Sequence, residues 1–278
     1  MLIPCTRIAD ARFEENEESM VMSPAQSALA DVLLSLDRFE ELIREDTGAI
    51  HRDVLDRSPH LRHPNFTRIH TGDLDLLFTA YDERFLNGLC RPALEGRKLR
   101  FRLSPRMTRA GGKTSKYRDH NGEVSYEIAI GTGMLFGSFG DSDRRVTVCG
   151  LECQDRLEAL QRIFEHELVH LAEQLCWGHS DCTAERFQGI AGRLFLHRAH
   201  THDLITHRER AAASGIRVGS HVTFTFEGRR LAGRVNRITK RATVLVEDPA
   251  GLKYSDGLRY KAYYVPIKLL EAMVPRPQ

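Results

Sequence analysis

The chain predicts an α+β fold, a mixed core of helices and a small sheet followed by a smaller all-β domain. Three observations carry this. Leu157, Leu160, Phe164, Leu168, Leu171 and Leu175 recur at helical spacing between Asp155, placed to cap a helix, and Gly178, placed to end one. Leu99, Phe101 and Leu103 alternate with Arg100 and Arg102, and Tyr126, Ile128 and Ile130 alternate likewise, the period-two signature of half-buried strands. Beyond Ser214-Gly215 the texture becomes short alternating runs with close turns, which describe a small β-barrel.

In chain order, residues 1–22 read as a polar leader. An amphipathic helix is expected from Pro24 to about Glu45, with Leu29, Val32, Leu33, Leu36, Phe39 and Ile43 on one face. Residues 46–66, rich in His and Arg and holding Pro59 and Pro64, read as a connector. A second helix runs from about Asp73 to Phe85 and stops at Asn87-Gly88. The basic stretch Arg106–Thr114 contains Gly111-Gly112-Lys113-Thr114. A phosphate-binding loop would need another Gly where Met107 stands, and a preceding strand–helix unit, so a hairpin turn is expected instead. Tyr126–Ile130 reads as a strand, at the sheet edge or in the core. A polar loop, Gly140–Arg145, and the apolar run Val146–Val148 precede the long helix. Another helix follows Gly178, from about residue 181 or 183 to His197. The expected divisions are 1–65 as leader and helix, 66–214 as the main domain and 215–278 as the β domain.

Composition is that of an ordinary globular chain, and no apolar run is long enough to span a membrane. The first twenty residues lack the basic-then-apolar order of a secretory signal, so a cytosolic or nuclear location is expected. Cys5, Cys90, Cys149, Cys153, Cys176 and Cys182 are scattered without C-x-x-C spacing and read as buried thiols. The net charge is only +2, but from Ile216 onward twelve Lys/Arg face five Asp/Glu. Such asymmetry points to a polyanionic partner, DNA or RNA. Arg229, Arg230, Arg234, Arg237, Lys240 and Arg241 are the candidate phosphate contacts, with Tyr254, Tyr260, Tyr263 and Tyr264 available for base stacking.

The sharpest signal is His166-Glu167-Leu168-Val169-His170, an H-E-x-x-H motif. Imidazoles four residues apart share a helix face and can grip one Zn²⁺, while Glu167 takes the proton of an activated water as general base. Zinc needs a further protein ligand. A helix returning antiparallel after residue 182 comes level with the two His near residues 190–197, which favours His197. His202 and His179 are the alternatives, ahead of Asp181, Glu185 and Glu173.

From about Leu74 to Arg210 the chain resembles the SprT-like (Spartan-type) zinc metallopeptidases. The likeness rests on Tyr81-Asp82-Glu83-Arg84-Phe85, the Arg102–Thr114 segment, Tyr126-Glu127-Ile128-Ala129-Ile130 and the run from Phe164 through His170. It implies a minigluzincin-like α+β core, Zn²⁺ held by three His, His166 and His170 as two of them, and Glu167 as base. The chain departs from the family at the third ligand: no His-Gly follows His170, and Gly178-His179 inverts that pair. The basic tail resembles an SH3-like or KOW-type barrel and replaces the zinc-binding tails of some members. The expected function is a zinc metallopeptidase that hydrolyses peptide bonds through a zinc-activated water, recruited to nucleic acid and DNA–protein substrates by its tail. The alternative is a nucleic-acid-binding or adaptor protein with a structural zinc. A third possibility is a zinc hydrolase of small molecules. An open three-ligand site favours an enzyme, a closed four-ligand shell the adaptor.

Overall fold

A computed structural model describes residues 3–4, 22–140 and 143–273. The leader expected over 1–22, with Cys5, therefore lies outside the described residues apart from 3–4 and 22. The architecture is α+β with small sheets, in two units, 1–204 and 205–278. Among the described residues no helix is long and apolar enough to cross a membrane.

The first helical run is broken in two. α1 spans Pro24–Ser35 behind a Ser23–Gln26 capping box and ends at an extended Leu36. α2 starts afresh at Glu40, with Glu40 and Glu41 against its N-terminal dipole, and continues to Arg57. The stretch from 46 to 57 is thus helix, not connector. Ile43, Thr47, Ile50 and Val54 form its buried stripe, which Thr47 and the polar residues between conceal from a hydropathy pattern. Both helices pack on the long helix, so residues 22–65 belong to the core rather than to a separate segment. α3, Thr71–Phe85, starts at an N-cap His70 boxed with Asp73. The short α4, Cys90–Ala93, follows.

A three-stranded sheet holds β2 (Lys98–Ser104), β3 (Gly112–Arg118) and β4 (Val124–Gly131) in the order β2-β4-β3. β2 pairs with β4 in parallel and β3 with β4 antiparallel. Two expectations change here. Gly111-Gly112-Lys113-Thr114 is no hairpin turn but the entry to β3; the reversal falls between β3 and β4, around Asp119. Tyr126–Ile130 is the central strand, and β3 is an edge. After α5 (Thr132–Gly137), the strands β5 (Val146–Val148), β6 (Leu151–Cys153) and β7 (Thr201–His202) join β1 (Ile3–Pro4) in a four-stranded sheet ordered β1-β7-β5-β6.

The long helix, α6, runs Arg156–Trp177. Asp155 caps it by accepting from the Glu158 amide, and Gly178 ends it at φ +77°, where glycine pays no Cβ penalty. It is buried on all faces, not on one stripe. Its first residue anchors the surrounding loops: the Arg156 guanidinium donates to the carbonyls of Leu135 (3.0 Å), Asn65 (3.2 Å), Ser138 (2.9 Å) and Phe66. α7 covers Glu185–Phe195, ending at Leu196 in the left-handed region (φ +61°).

The second unit begins earlier than Ser214-Gly215. α8 (His207–Ala213) belongs to it because Ala211 is fully buried in its core with Ile216, Val222, Phe224 and Val244. Its strands β8 (His221–Phe226), β9 (Arg229–Ile238), β10 (Ala242–Lys253), β11 (Arg259–Val265) and β12 (Glu271–Ala272) form one antiparallel sheet ordered β11-β10-β9-β8-β12.

Removing the Arg156 guanidinium strands several buried carbonyls at once. Arg156→Ala is expected to lower stability by about 3 kcal/mol. Urea unfolding followed by circular dichroism checks this, and an unchanged midpoint would contradict the anchoring role.

Candidate metal centre

α6 brings His166 and His170 together one turn apart. Their Nε2 atoms lie 3.1 Å from each other and the rings are buried, at 0% and 5% exposure. Phe187 of α7 closes over both, its ring centroid 4.8 Å from that of His166 and 4.5 Å from that of His170. Burial holds both imidazoles below their ordinary pKa, His170 at about 4, so both are neutral near pH 7.

The partners of the Nδ1 atoms decide which way the lone pairs face. Ser180 Oγ donates to Glu173 Oε2 (2.5 Å), which as a carboxylate can only accept. The hydroxyl oxygen must therefore accept from His170 Nδ1–H, 2.7 Å away. Glu173 is itself held by Arg186 Nε (2.6 Å), whose guanidinium lies over the Trp177 ring at 4.2 Å. On the other ring, Cys149 Sγ lies 3.9 Å from His166 Nδ1 and 3.7 Å from the Arg162 carbonyl, to which it can donate. With its own proton on Nδ1, His170 presents the Nε2 lone pair toward His166 Nε2.

Glu167 is 1% exposed. Thr114 of β3 reaches it with a hydroxyl 2.8 Å from Oε2 and 2.9 Å from the Glu167 carbonyl. Burial pushes its carboxyl up to about 8, against the lowering effect of the Thr114 side-chain and backbone hydrogen bonds. β3 approaches so closely that a Cβ on Gly112 would stand 2.6 Å from Glu167 Cγ, so the second glycine of the Gly-Gly-Lys-Thr stretch makes room for this side chain.

His197 does not join His170. The left-handed Leu196 turns the chain so that His197 Nε2 meets Glu165 Oε2 at 2.9 Å. Glu165, fully buried, also accepts from Tyr81 (2.6 Å) and from Arg162 (2.9 and 3.1 Å). Burial raises that carboxyl, but Arg162 and then His197 and Tyr81 bring it below its ordinary value. His197 therefore serves the helix's buried ion network. His179 is exposed, its Nδ1 bonded to the Trp177 carbonyl. His202 is fully buried beside Gly111, with neither ring nitrogen hydrogen-bonded, and burial holds it at about pKa 4.

Among the described residues two buried groups could hold a metal ion, each with ligand atoms within 4.8 Å of one another: His166, His170 and Cys182, and Cys149, His166 and His197. Cys182, Ser180 and Thr114 were not legible as site residues. No spacing rule links a lone Cys twelve residues after a His to a metal, and a Ser or Thr that orients a ligand has no motif. All five cysteines among the described residues are buried, as their scattered spacing suggested. In the second unit, Arg229, Arg230, Arg234, Arg237, Lys240 and Arg241 are all exposed. Arg230 pairs with Glu271 (2.7 Å) and Arg234 lies 3.5 Å from Asp256. Arg237, Lys240 and Arg241 cluster at the β9–β10 turn and make no ion pair among the described residues.

Comparison with protein-family models, with curated proteins and with solved structures finds no match.

Ser180→Ala removes the acceptor that fixes the His170 tautomer. Such a change is expected to weaken divalent-metal affinity by about 10–100-fold with the fold intact, read by competition with a chromogenic chelator and by circular dichroism. Gly112→Ala forces β3 and Glu167 apart and is expected to cost about 1–3 kcal/mol in denaturant unfolding.

Proposed function

We propose that the chain is a zinc-dependent metallopeptidase. The observation that carries this reading is the convergence of two neutral imidazoles, their Nε2 atoms 3.1 Å apart and one helical turn apart in the chain, with a buried carboxyl beside them. The donor set fits zinc: neutral imidazole nitrogens at close to the roughly 3.3 Å separation that ligands about 2.0–2.1 Å from one tetrahedral ion must have. His166 and His170 would hold the ion. Bound zinc supplies Lewis acidity that polarises a carbonyl and makes water a nucleophile near neutral pH. Glu167, directed by the Thr114 hydroxyl on Oε2, would be drawn to its ionised form by the charge of a bound ion and would then be placed to act as general base toward water and as general acid toward the leaving amine.

A peptide is the substrate class the surrounding sheet suits best. β3 is an edge strand, and its Gly112–Thr114 end lies against Glu167. An extended peptide adding to that edge would pass the motif with its carbonyls in strand register. The resemblance to SprT-like peptidases and their minigluzincin-like core supports the same reading, as do the three-donor groups, which leave a coordination position open. The basic second unit, five antiparallel strands like an SH3-like barrel, is the part proposed to bind DNA or RNA, through Arg237, Lys240 and Arg241 at the β9–β10 turn.

Glu167→Gln is expected to retain zinc while peptide hydrolysis falls by at least about 100-fold. Metal content by mass spectrometry and cleavage of an unstructured fluorescent protein substrate measure the two halves. Wild-type turnover by that variant would remove Glu167 as base, and wild-type protein that takes up no divalent metal would remove the reading itself. Replacing Arg237, Lys240 and Arg241 by Glu in the full chain should weaken nucleic-acid binding and flatten its dependence on salt by about 0.9 per lost phosphate contact. Unaltered binding in a salt titration would place the polyanion site elsewhere.

A further inference from the structure

We infer that Cys182 is the third metal ligand, so that the centre is a His166–His170–Cys182 site rather than a three-histidine one. The inference rests on the metal-binding reading above and goes beyond it by assigning a thiolate to the coordination sphere. Among the described residues no third histidine shares a group with both His166 and His170. His197 joins His166 only in the group that leaves out His170, and its Nε2 is held by Glu165; His179 is exposed, and His202 is in neither group of converging donors. Cys182 is 5% exposed and lies between α6 and α7, on the segment that also carries Ser180. Its sulfur and the two imidazole donors are all within 4.8 Å of one another. A tetrahedral ion with nitrogen ligands at about 2.0–2.1 Å and sulfur at about 2.3 Å needs N–S separations of about 3.6 Å, a small adjustment of one loop side chain.

The competing sulfur is Cys149, and the geometry decides against it. Cys149 faces Nδ1 of His166, the nitrogen turned from His170, and its group excludes His170. Cys182 shares a group with both histidines, whose Nε2 atoms face each other at 3.1 Å. Ligation breaks the Cys182 S–H bond, forms the metal–sulfur bond and gives the proton to solvent, with no change of oxidation state. Ser180 and Cys182 then act from one short segment, Ser180 orienting His170 and Cys182 closing the triangle. A thiolate donates more charge to the ion than a third imidazole would, which softens its Lewis acidity and widens the range of metals it accepts toward thiophilic ones.

Cobalt(II) reports the ligand directly. The metal-free full-length protein is titrated with Co²⁺ alone and followed in the visible and near-ultraviolet, in the wild type and in Cys182→Ser, Cys149→Ser and Cys182→His. The wild type and Cys149→Ser should show tetrahedral d–d bands together with a thiolate-to-cobalt charge-transfer band. In Cys182→Ser the charge-transfer band should vanish and cobalt affinity fall by more than the roughly 100-fold that loss of an outer-shell partner costs. Cys182→His should recover d–d intensity without the sulfur band. Zinc K-edge absorption on the wild type needs no variant to fold and should show one sulfur at about 2.3 Å. Tetrahedral cobalt in the wild type without charge transfer, or a zinc shell without sulfur, overturns the Cys182 assignment while leaving the metal centre standing. Loss of the band in Cys149→Ser instead overturns it in favour of the other sulfur. A wild type that binds no cobalt or zinc defeats the metal reading and this assignment together.

Discussion

A helix that is buried on every face while carrying charges and imidazoles can exist only if its surroundings replace the water it has lost, and α6 sets that constraint for the whole first unit. Each neighbour supplies a part. The 65–66 loop, the end of α5 and Ser138 give carbonyls to Arg156, α2 gives the Thr47 carbonyl to Gln161, and α3 gives the Tyr81 hydroxyl to Glu165. β3 gives Thr114 to Glu167, and the segment after Gly178 gives Ser180 and Arg186 to His170 and Glu173. The elements packed on α6 are fixed in place by these polar contacts as well as by apolar ones such as Tyr81, Phe85, Phe164 and Phe195, whose rings lie against one another.

That arrangement explains what the sequence showed and what it hid. The ends of α6 are local events: Asp155 caps with an amide three residues on, and Gly178 adopts a left-handed turn, so both were visible in the chain. So were β2 and β4, because alternation needs only one apolar face. The order β2-β4-β3, which makes Tyr126–Ile130 central, depends on a parallel pairing across more than twenty residues and leaves no local trace. The second half of α2 was hidden for a different reason: its buried stripe of Ile43, Thr47, Ile50 and Val54 is interrupted by a threonine, whose backbone carbonyl rather than its hydroxyl meets Gln161 of α6. The surroundings of His197 were hidden by a single backbone angle, since the left-handed Leu196 brings its Nε2 to Glu165 and nothing in the residue types announces that turn.

Gly111-Gly112-Lys113-Thr114 shows how a turn-like composition can mark something else. Glycine is favoured wherever another group comes too close for a Cβ. Here that group is the Glu167 side chain, and the neighbouring Gly111 faces Ile163 and His202. The same few residues therefore bring an edge strand into contact with the motif and supply, through Thr114, the hydroxyl that directs Glu167. Sequence alone offered two readings for the glycines, phosphate loop and turn, and both describe the backbone without the helix that lies across it.

The histidine pair separates a structural role from a metal-binding one. Two buried core imidazoles at 3.1 Å would ordinarily share a proton as N–H···N, which requires one ring to carry its hydrogen on Nε2 and leave Nδ1 as an acceptor. His170 is denied that form because Ser180 has already committed its only hydrogen to Glu173 and must accept from Nδ1. His166 keeps that form open, its Nδ1 facing the Cys149 thiol at 3.9 Å and its Nε2 free to donate to His170. With the His166 proton on Nδ1 instead, two lone pairs face each other in a low-dielectric interior, where their repulsion is poorly screened. Protonating either ring would relieve it, but burial holds both well below the pH at which that happens readily. A cation held between the two nitrogens would turn that repulsion into two bonds, with the Ser180 hydrogen bond aiming His170.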